Sequence, residues 1–345
     1  MSEQGQRDFP RRKGPTVAQI AALSGVGTAT VDRVLNGRTS VREATRVRVL
    51  EALARLGDRP APAVAEKPLS VAVLVDSGIS FNRTLEQAVA AHDESDPSVD
   101  LSFFGFPTQG LVAVKFAQLV ERCAQTADGL IVVAREDLII NRALRAASAH
   151  GVHVVCLTTD LPTSGRAAYV GSDQASAGAT AAYLMGRLLG GRPGRILFVY
   201  SAPYRCQEER ELGFRRVLRS EFGNIEIEER VNSNDQSESA YENICRYIAD
   251  RGPPSGIYNV AAGNVGVARA LEQHDLVGRV LFVGHELNPN SRTLLESGAM
   301  DIVVGHDVEV ELRLSIDLIR KRMAGATAIA SVRTPVRVFT KYSCG

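Results

Sequence analysis

Residues 25–37 read GVGTATVDRVLNG. Two glycines followed by a run of helical spacing fit two different devices. One is the phosphate-cradling loop of a dinucleotide-binding fold; the other is the bend of a helix-turn-helix. The first needs a strand before its glycines and the spacing G-x-G-x-x-G. Here the helix-like TVAQIAALS comes before them, and Thr30 stands where the third glycine belongs. An acidic ribose partner at the right distance would be Glu43 or Glu51, and both lie inside a helical pattern. The second device needs a short helix, a turn usually containing glycine, and a second helix with a free outer face. TVAQIAALSGVGTATVDRVLNG supplies all three. Val17, Ile20, Ala21 and Leu23 lie roughly on one face of the first helix, and Gly25 permits the bend. Val31 and Val34 point inward, which leaves Thr28, Ala29, Asp32 and Arg33 outward.

The rest of the chain organises around this segment. Residues 1–15 read as a disordered basic tail. Residues 16–58 read as three helices, the second over about Thr28 to Asn36 and the third from near Val41 to Gly57. Residues 59–68 are a Pro/Ala-rich linker, because Pro60, Pro62 and Pro68 forbid a long regular helix. From residue 69 to 345, short apolar runs alternate with amphipathic helices. LSVAVLVD, GLIVVA, RILFVY and VLFVGH are examples of the runs. Such alternation implies parallel sheets covered on both faces. Eight or nine such runs suit two successive lobes, about 69–160 and 170–305, with a C-terminal crossover. The expected fold is therefore a small all-α helix-turn-helix head on an α/β body of two parallel-sheet βα subdomains.

Charge is divided along the same line. The net charge is +1 over 345 residues, but residues 1–60 hold eleven Lys/Arg against six Asp/Glu. A basic head on a mildly acidic body fits a head that meets a polyanion. Five scattered cysteines, an odd number without zinc-type spacing, argue for reduced thiols. No apolar run is long enough to span a bilayer, and MSEQGQRDFPRRKG is not a secretory signal. The expected location is the cytoplasm, with no membrane partner.

TVAQIAALSGVGTATVDRVLNG together with VREATRVRVLEALARLG resembles the DNA-binding head of the lactose-repressor (LacI/GalR) family. The resemblance implies that Thr28, Ala29 and Arg33 project toward base edges, with Arg33 forking onto a guanine. It implies that Thr16, Thr30 and Asn36 hold the phosphate backbone. Two departures stand out: Gly27 occupies a usual serine position, and Asp32 replaces another. The linker also departs. The family's hinge helix carries a leucine wedge, and here only Val64 is available for that role.

YVGSDQASAGATAAYLMG, EERELGFRRVL, GIYNVAAGNVGVARAL and VLFVGHELNPNSRTLLESGAMDIVVGHD are similar to the sugar-binding core of the same family and of periplasmic sugar-binding proteins. Each stretch sets a polar residue just past an apolar strand, and loops at carboxyl strand ends border the crevice where open α/β sheets bind ligands. Polyols call for amides, carboxylates and a forked arginine. By resemblance, Arg210 is the ligand-gripping arginine and Asn259 the amide. Glu286 takes a usual aspartate's place, and Asp307, or His306 beside it, takes that of a usual amide. Phe81, Asn82, Arg135, Thr158 and Asp160 follow strands of the first lobe as further effector contacts. Asp173 reads as a helix cap or a crossover anchor.

G-x-S-x-G and Walker-type loops are absent, and the HE pair at 285–286 has no second histidine one turn on. The expected protein is thus a sequence-specific transcriptional regulator, not an enzyme, with no cofactor and no metal. Its expected partners are a near-palindromic operator DNA, a small sugar or polyol effector, and a second copy of itself, with dimer or tetramer left open. The rival readings are a sugar-binding module and a sugar-processing enzyme with a fused DNA-binding head.

Overall fold

The computed structural model describes residues 15–35, 41, 43–57 and 67–345. The chain divides into two compact units, one ending at Lys67 and one beginning at Pro68. Asn36, Val64 and the 59–66 part of the linker lie outside the described residues, so the readings placed on them stay with the sequence.

In the head, Thr16 caps α1 (Val17–Ser24) and shares a capping box with Gln19. That box satisfies N–H groups that a helix start leaves open. Gly25 ends the helix at φ +64°, a left-handed conformation that costs glycine little. The Gly27 carbonyl then receives the N–H groups of Thr30 and Val31 and starts α2 (Thr28–Leu35). Ile20, Val31 and Val34 pack with Val49 and Ala52 of α3 (Glu43–Gly57) into one small core. The face read for the first helix is only partly inward. Ile20 is buried, but Val17 and Leu23 are exposed, and the buried polar member of the helix is Ser24. The inward stripe follows 20, 21 and 24 at helical spacing, which takes Ser24 in and leaves Leu23 to one side.

The body contains two six-stranded sheets. The first runs β11-β5-β4-β3-β1-β2, all parallel. Its strands are β1 (Leu69–Ser77), β2 (Val99–Pro107), β3 (Gly129–Val133), β4 (His153–Leu157), β5 (Ala168–Ser172) and β11 (Val332–Thr334). The second runs β12-β10-β9-β8-β6-β7. It holds β6 (Gly194–Tyr200), β7 (Ile225–Asn232), β8 (Gly256–Asn259), β9 (Leu281–His285), β10 (Ile302–Gly305) and β12 (Arg337–Phe339). Only β12 is antiparallel, against β10, so this sheet is mixed where a purely parallel one was expected. The strands β5, β11 and β12 are three to five residues long and carry few consecutive apolar residues.

Three passages join the lobes. After β5, Asp173 caps α7 (Gln174–Leu188), whose alanines pack beneath the second sheet. After β10, residues 306–307 lead into α12 (Val308–Met323), which returns to the first lobe by burying Leu312, Ile316 and Ile319 beside Val71 and Val73. Residues 335–336 then carry the chain from β11 to β12. Both crevice walls therefore hang on the same narrow waist.

Candidate functional site: a cavity between the lobes and an exposed helix on the head

The cavity between the lobes forms where carboxyl strand ends meet helix starts. Asp76, Ser77, Gly78 and Phe81 come from the end of β1 and the start of α4 (Ile79–Ser95). Thr158 and Thr159 follow β4. The second lobe brings Tyr204, Cys206, Gln207 and Arg210 of α8 (Arg205–Glu221) and its cap, together with Asp235, Val260 to Ala262 and Glu286. About 50 Å³ is open to the centre of a water molecule. A single water needs roughly 10–15 Å³ by that measure.

Arg210 is 2% exposed and held from several sides. Its Nε donates to Gln174 Oε1 at 2.8 Å and its Nη1 to the Val260 carbonyl at 2.9 Å. Nη2 lies 4.0 Å from the Glu286 carboxylate. The helices beneath explain this fixity, because α7 and α8 touch backbone to backbone. A Cβ on Gly178 would sit 1.8 Å from the Arg210 carbonyl oxygen, and one on Gly213 would sit 1.9 Å from that of Ala175. Gln174 also donates to the Thr158 carbonyl at 2.9 Å and so ties the arginine to the other lobe.

Thr158 and Glu286 both hold positive φ, +61° and +68°, and both line the cavity. Non-glycine residues in this region carry about 1–3 kcal/mol of strain, which collects at functional sites. The Thr158 hydroxyl is buried with no hydrogen-bond partner in the protein. Burial pushes the Glu286 carboxyl above its ordinary range, while Arg210 and His306 pull it back. His306 Nδ1 bonds buried Glu311 at 2.8 Å, and its Nε2 has no partner. Burial works against charge on this imidazole, but Glu311 outweighs it and raises the pKa. His285 is held well below the usual range by burial, then by Arg210 and His306.

A second set of bonds crosses the crevice directly. Arg135 Nε and Nη2 fork onto fully buried Asp76 at 2.7 and 2.9 Å, and this keeps the guanidinium strongly charged. The Tyr204 hydroxyl, from the other lobe, donates to Asp76 at 2.9 Å and lies 3.0 Å from the Thr108 hydroxyl. Thr108 in turn donates to Asp235 at 2.6 Å. Gly78 permits the approach, since a Cβ there would lie 2.8 Å from the Ala262 side chain.

Of the residues singled out in the sequence, Phe81, Thr158, Arg210 and Glu286 converge on the cavity. Arg135 stands behind Asp76 instead of on the lining. Four others face elsewhere, each engaged locally. Asn82 donates to the Ser77 and Phe106 carbonyls and staples β1 to β2. Asp160 is gripped by two N–H groups of Arg166. Asn259 spends its amide on Asn264 and the Ala261–Ala262 turn. Asp307 caps α12 and pairs with Arg337. Asp173 caps α7 and pairs with Arg333. Asp76, Tyr204, Gln207 and Asp235 line the cavity and were not anticipated. Asp76 alone left a trace, as the polar end of LSVAVLVD.

On the head, Thr28, Ala29 and Arg33 are exposed along α2, Thr30 is half-buried, and the Thr16 hydroxyl belongs to its capping box. Among the described residues no cluster suits a metal ion, all five cysteines are free thiols, and no helix is long and apolar enough to cross a membrane.

Comparison with known proteins agrees with this two-part organisation. Residues 71–327 match the periplasmic binding protein domain, and residues 16–60 match the bacterial regulatory proteins of the lacI family. A curated relative, the HTH-type transcriptional regulator CelR of Thermobifida fusca, is 50% identical over 50 residues. That match spans 14% of this chain and 15% of the relative's length. Among solved structures, the glucose-galactose binding protein GanP of Geobacillus stearothermophilus covers 80% of this chain and 99% of its own, at 21% identity and a TM-score of 0.72. A solute binding protein of Burkholderia graminis, solved with D-arabinose, covers 80% of this chain and 96% of its own, at 21% identity and 0.73. These likenesses establish the fold of the body. The chain belongs to the periplasmic binding protein domain family through its body and to the lacI family of bacterial regulatory proteins through its head.

Proposed function

We propose that the chain is a cytoplasmic transcriptional regulator that reads duplex DNA with α2 and is controlled by a small sugar or polyol bound between the lobes. The observation that carries this reading is the joining, in one chain, of an exposed reading helix to a cavity lined by paired polar groups. Arg33, Thr28 and Ala29 stand over a rigid base of Val31 and Val34, so base contacts find them in place. In the cavity, the Arg210 fork, the unpartnered Thr158 hydroxyl and the Glu286 carboxyl offer donors and acceptors for hydroxyl groups. The glucose-galactose and D-arabinose binding of the structural relatives supports the same ligand class.

We read the site as a sensor's. The Tyr204–Asp76 and Thr108–Asp235 bonds join lobe to lobe, which suits a switch whose closure a ligand biases. An effector shifts such an equilibrium only by binding its two states unequally. Two copies would present two reading helices to half-sites about 34–36 Å apart, so a homodimer on a near-palindromic operator is part of the proposal.

A thermal-shift screen of the full chain against common monosaccharides and polyols tests the reading. At least one should raise the melting temperature in proportion to its concentration. A flat response across hexoses, pentoses and polyols would remove the sugar from the account.

A further inference from the structure

We propose that the cavity takes an uncharged sugar and rejects sugar phosphates and sugar acids, because each cation in or behind its wall already answers a carboxylate and one carboxylate is left over. The inference rests on the cavity being a sugar site and narrows the class of sugar.

The charges pair off by position. Arg135 is forked onto Asp76. Arg210 faces Glu286 at 4.0 Å, with Gln174 and the Val260 carbonyl taking two of its donors. His306 is bound to Glu311, whose other oxygen takes the Thr334 hydroxyl. Asp235 remains. It accepts from the Thr108 hydroxyl at 2.6 Å and the Ala262 N–H at 3.0 Å, and has no cationic partner among the described residues. A bound phosphate or carboxylate is held by charge-assisted bonds from cations free to give them. Arg135 is spent on Asp76 and the Thr108 carbonyl; Arg210 keeps N–H groups for a ligand, but its charge is already answered by Glu286.

One feature favours anions. The first turns of α4 and α8 reach the wall at Gly78 and at Cys206 and Gln207. Each helix start carries roughly half a positive charge. Two of them about match the surplus carboxylate of Asp235, and no positive field is left for a ligand with its own full negative charge. An uncompensated anion in so enclosed a space loses its water without a partner. A neutral polyol has no such penalty and can use the Thr158 hydroxyl and the outward edge of Arg210.

Calorimetry on the full chain at pH 8 and fixed ionic strength tests this with matched probes. D-glucose, D-galactose, D-ribose and D-arabinose are each compared with their terminal phosphate and their aldonic acid. The expected result is that a parent sugar binds and that its phosphate and acid bind more than about tenfold weaker, since like charges then face each other in the cavity. Asp235→Asn should narrow that ratio and Asp235→Glu should keep it; the ratio is read within each variant, so a general loss of affinity cancels. A phosphate or acid within tenfold of its parent would overturn the charge argument and leave the sugar reading standing. An unchanged ratio in Asp235→Asn would also overturn it. If no parent and no derivative binds, the sugar reading falls and this inference with it.

Discussion

The two working surfaces of this chain solve opposite problems. In the head, Thr28, Ala29 and Arg33 stand in solvent on two turns of helix, backed by Val31 and Val34. Their partners are to be found on another molecule. In the body, Arg210 is 2% exposed, and its guanidinium is committed to Gln174 and the Val260 carbonyl and faces Glu286. A surface reader needs rigid backing and side chains left free. A cavity needs side chains fixed in advance, so that a ligand meets groups that need no reordering. The contrast predicts that damage to the head is local and selective, whereas damage to the body spreads.

The largest expected effect is at Arg210. Arg210→Ala leaves Glu286 and the Gln174 amide facing each other across a void. Each buried acceptor left without its donor costs about 1–3 kcal/mol, and two are left, on Gln174 and Val260. Melting of the variant should fall accordingly and its sugar response should vanish, with operator affinity retained at low temperature; an unchanged response curve would remove Arg210 from the site. Gly178→Ala tests the same point from beneath. With a Cβ driven toward the Arg210 carbonyl, α7 and α8 must separate. Overpacking of this kind costs about 1–3 kcal/mol, visible as a lower Tm with weaker sugar binding. Normal sugar affinity would show that helix spacing does not set the arginine.

The head should answer differently. Arg33→Ala should lose about 1–3 kcal/mol of discrimination between operator and scrambled duplex, with the melting of the body unchanged. Equal loss on both duplexes would make Arg33 a phosphate contact. Thr16→Ala removes the capping box and should cost about 0.5–2 kcal/mol, confined to the head. Hydrogen exchange of α1 against that of the body would report it.

The smallest effect is a slope with pH. The folded-state pKa of Glu286 lies above its unfolded value, because burial favours the neutral carboxyl. The folded state therefore binds the extra proton, and stability falls as pH rises from the ordinary carboxylate range through the raised pKa. Glu286→Gln should flatten that part of the curve relative to the parent chain. Identical curves would mean the carboxyl is solvated.

The same contrast governs how much could be read in advance. The head is built from neighbours in sequence. The bend at Gly25 and the Val31–Val34 face were legible; the capping box that takes up the Thr16 hydroxyl and the outward turn of Val17 and Leu23 were not. The long strands of the body were legible as apolar runs. A crossover after residue 305 was expected, but not that α12 makes it by packing on the first sheet, nor that β5 joins that sheet, because both depend on tertiary packing. In the cavity, strand-end logic reached Phe81, Thr158, Arg210 and Glu286. It could not separate them from Asn259 or Asp307, whose polar groups are used up within their own turns. Nor could it reach Tyr204 or Asp235, since their roles come from partners 128 and 127 positions away.

The central claim is that one chain couples a duplex-reading surface to a sugar-sensing cavity. Its most direct test is fluorescence anisotropy of the full chain on the duplex upstream of its own gene and on a scrambled duplex, across a salt series, with and without the monosaccharide that raises its Tm. The account predicts a salt-sensitive preference for the upstream duplex and a displaced midpoint when that sugar is present. Equal affinity for both duplexes, or a midpoint indifferent to a sugar that is demonstrably bound, would contradict it.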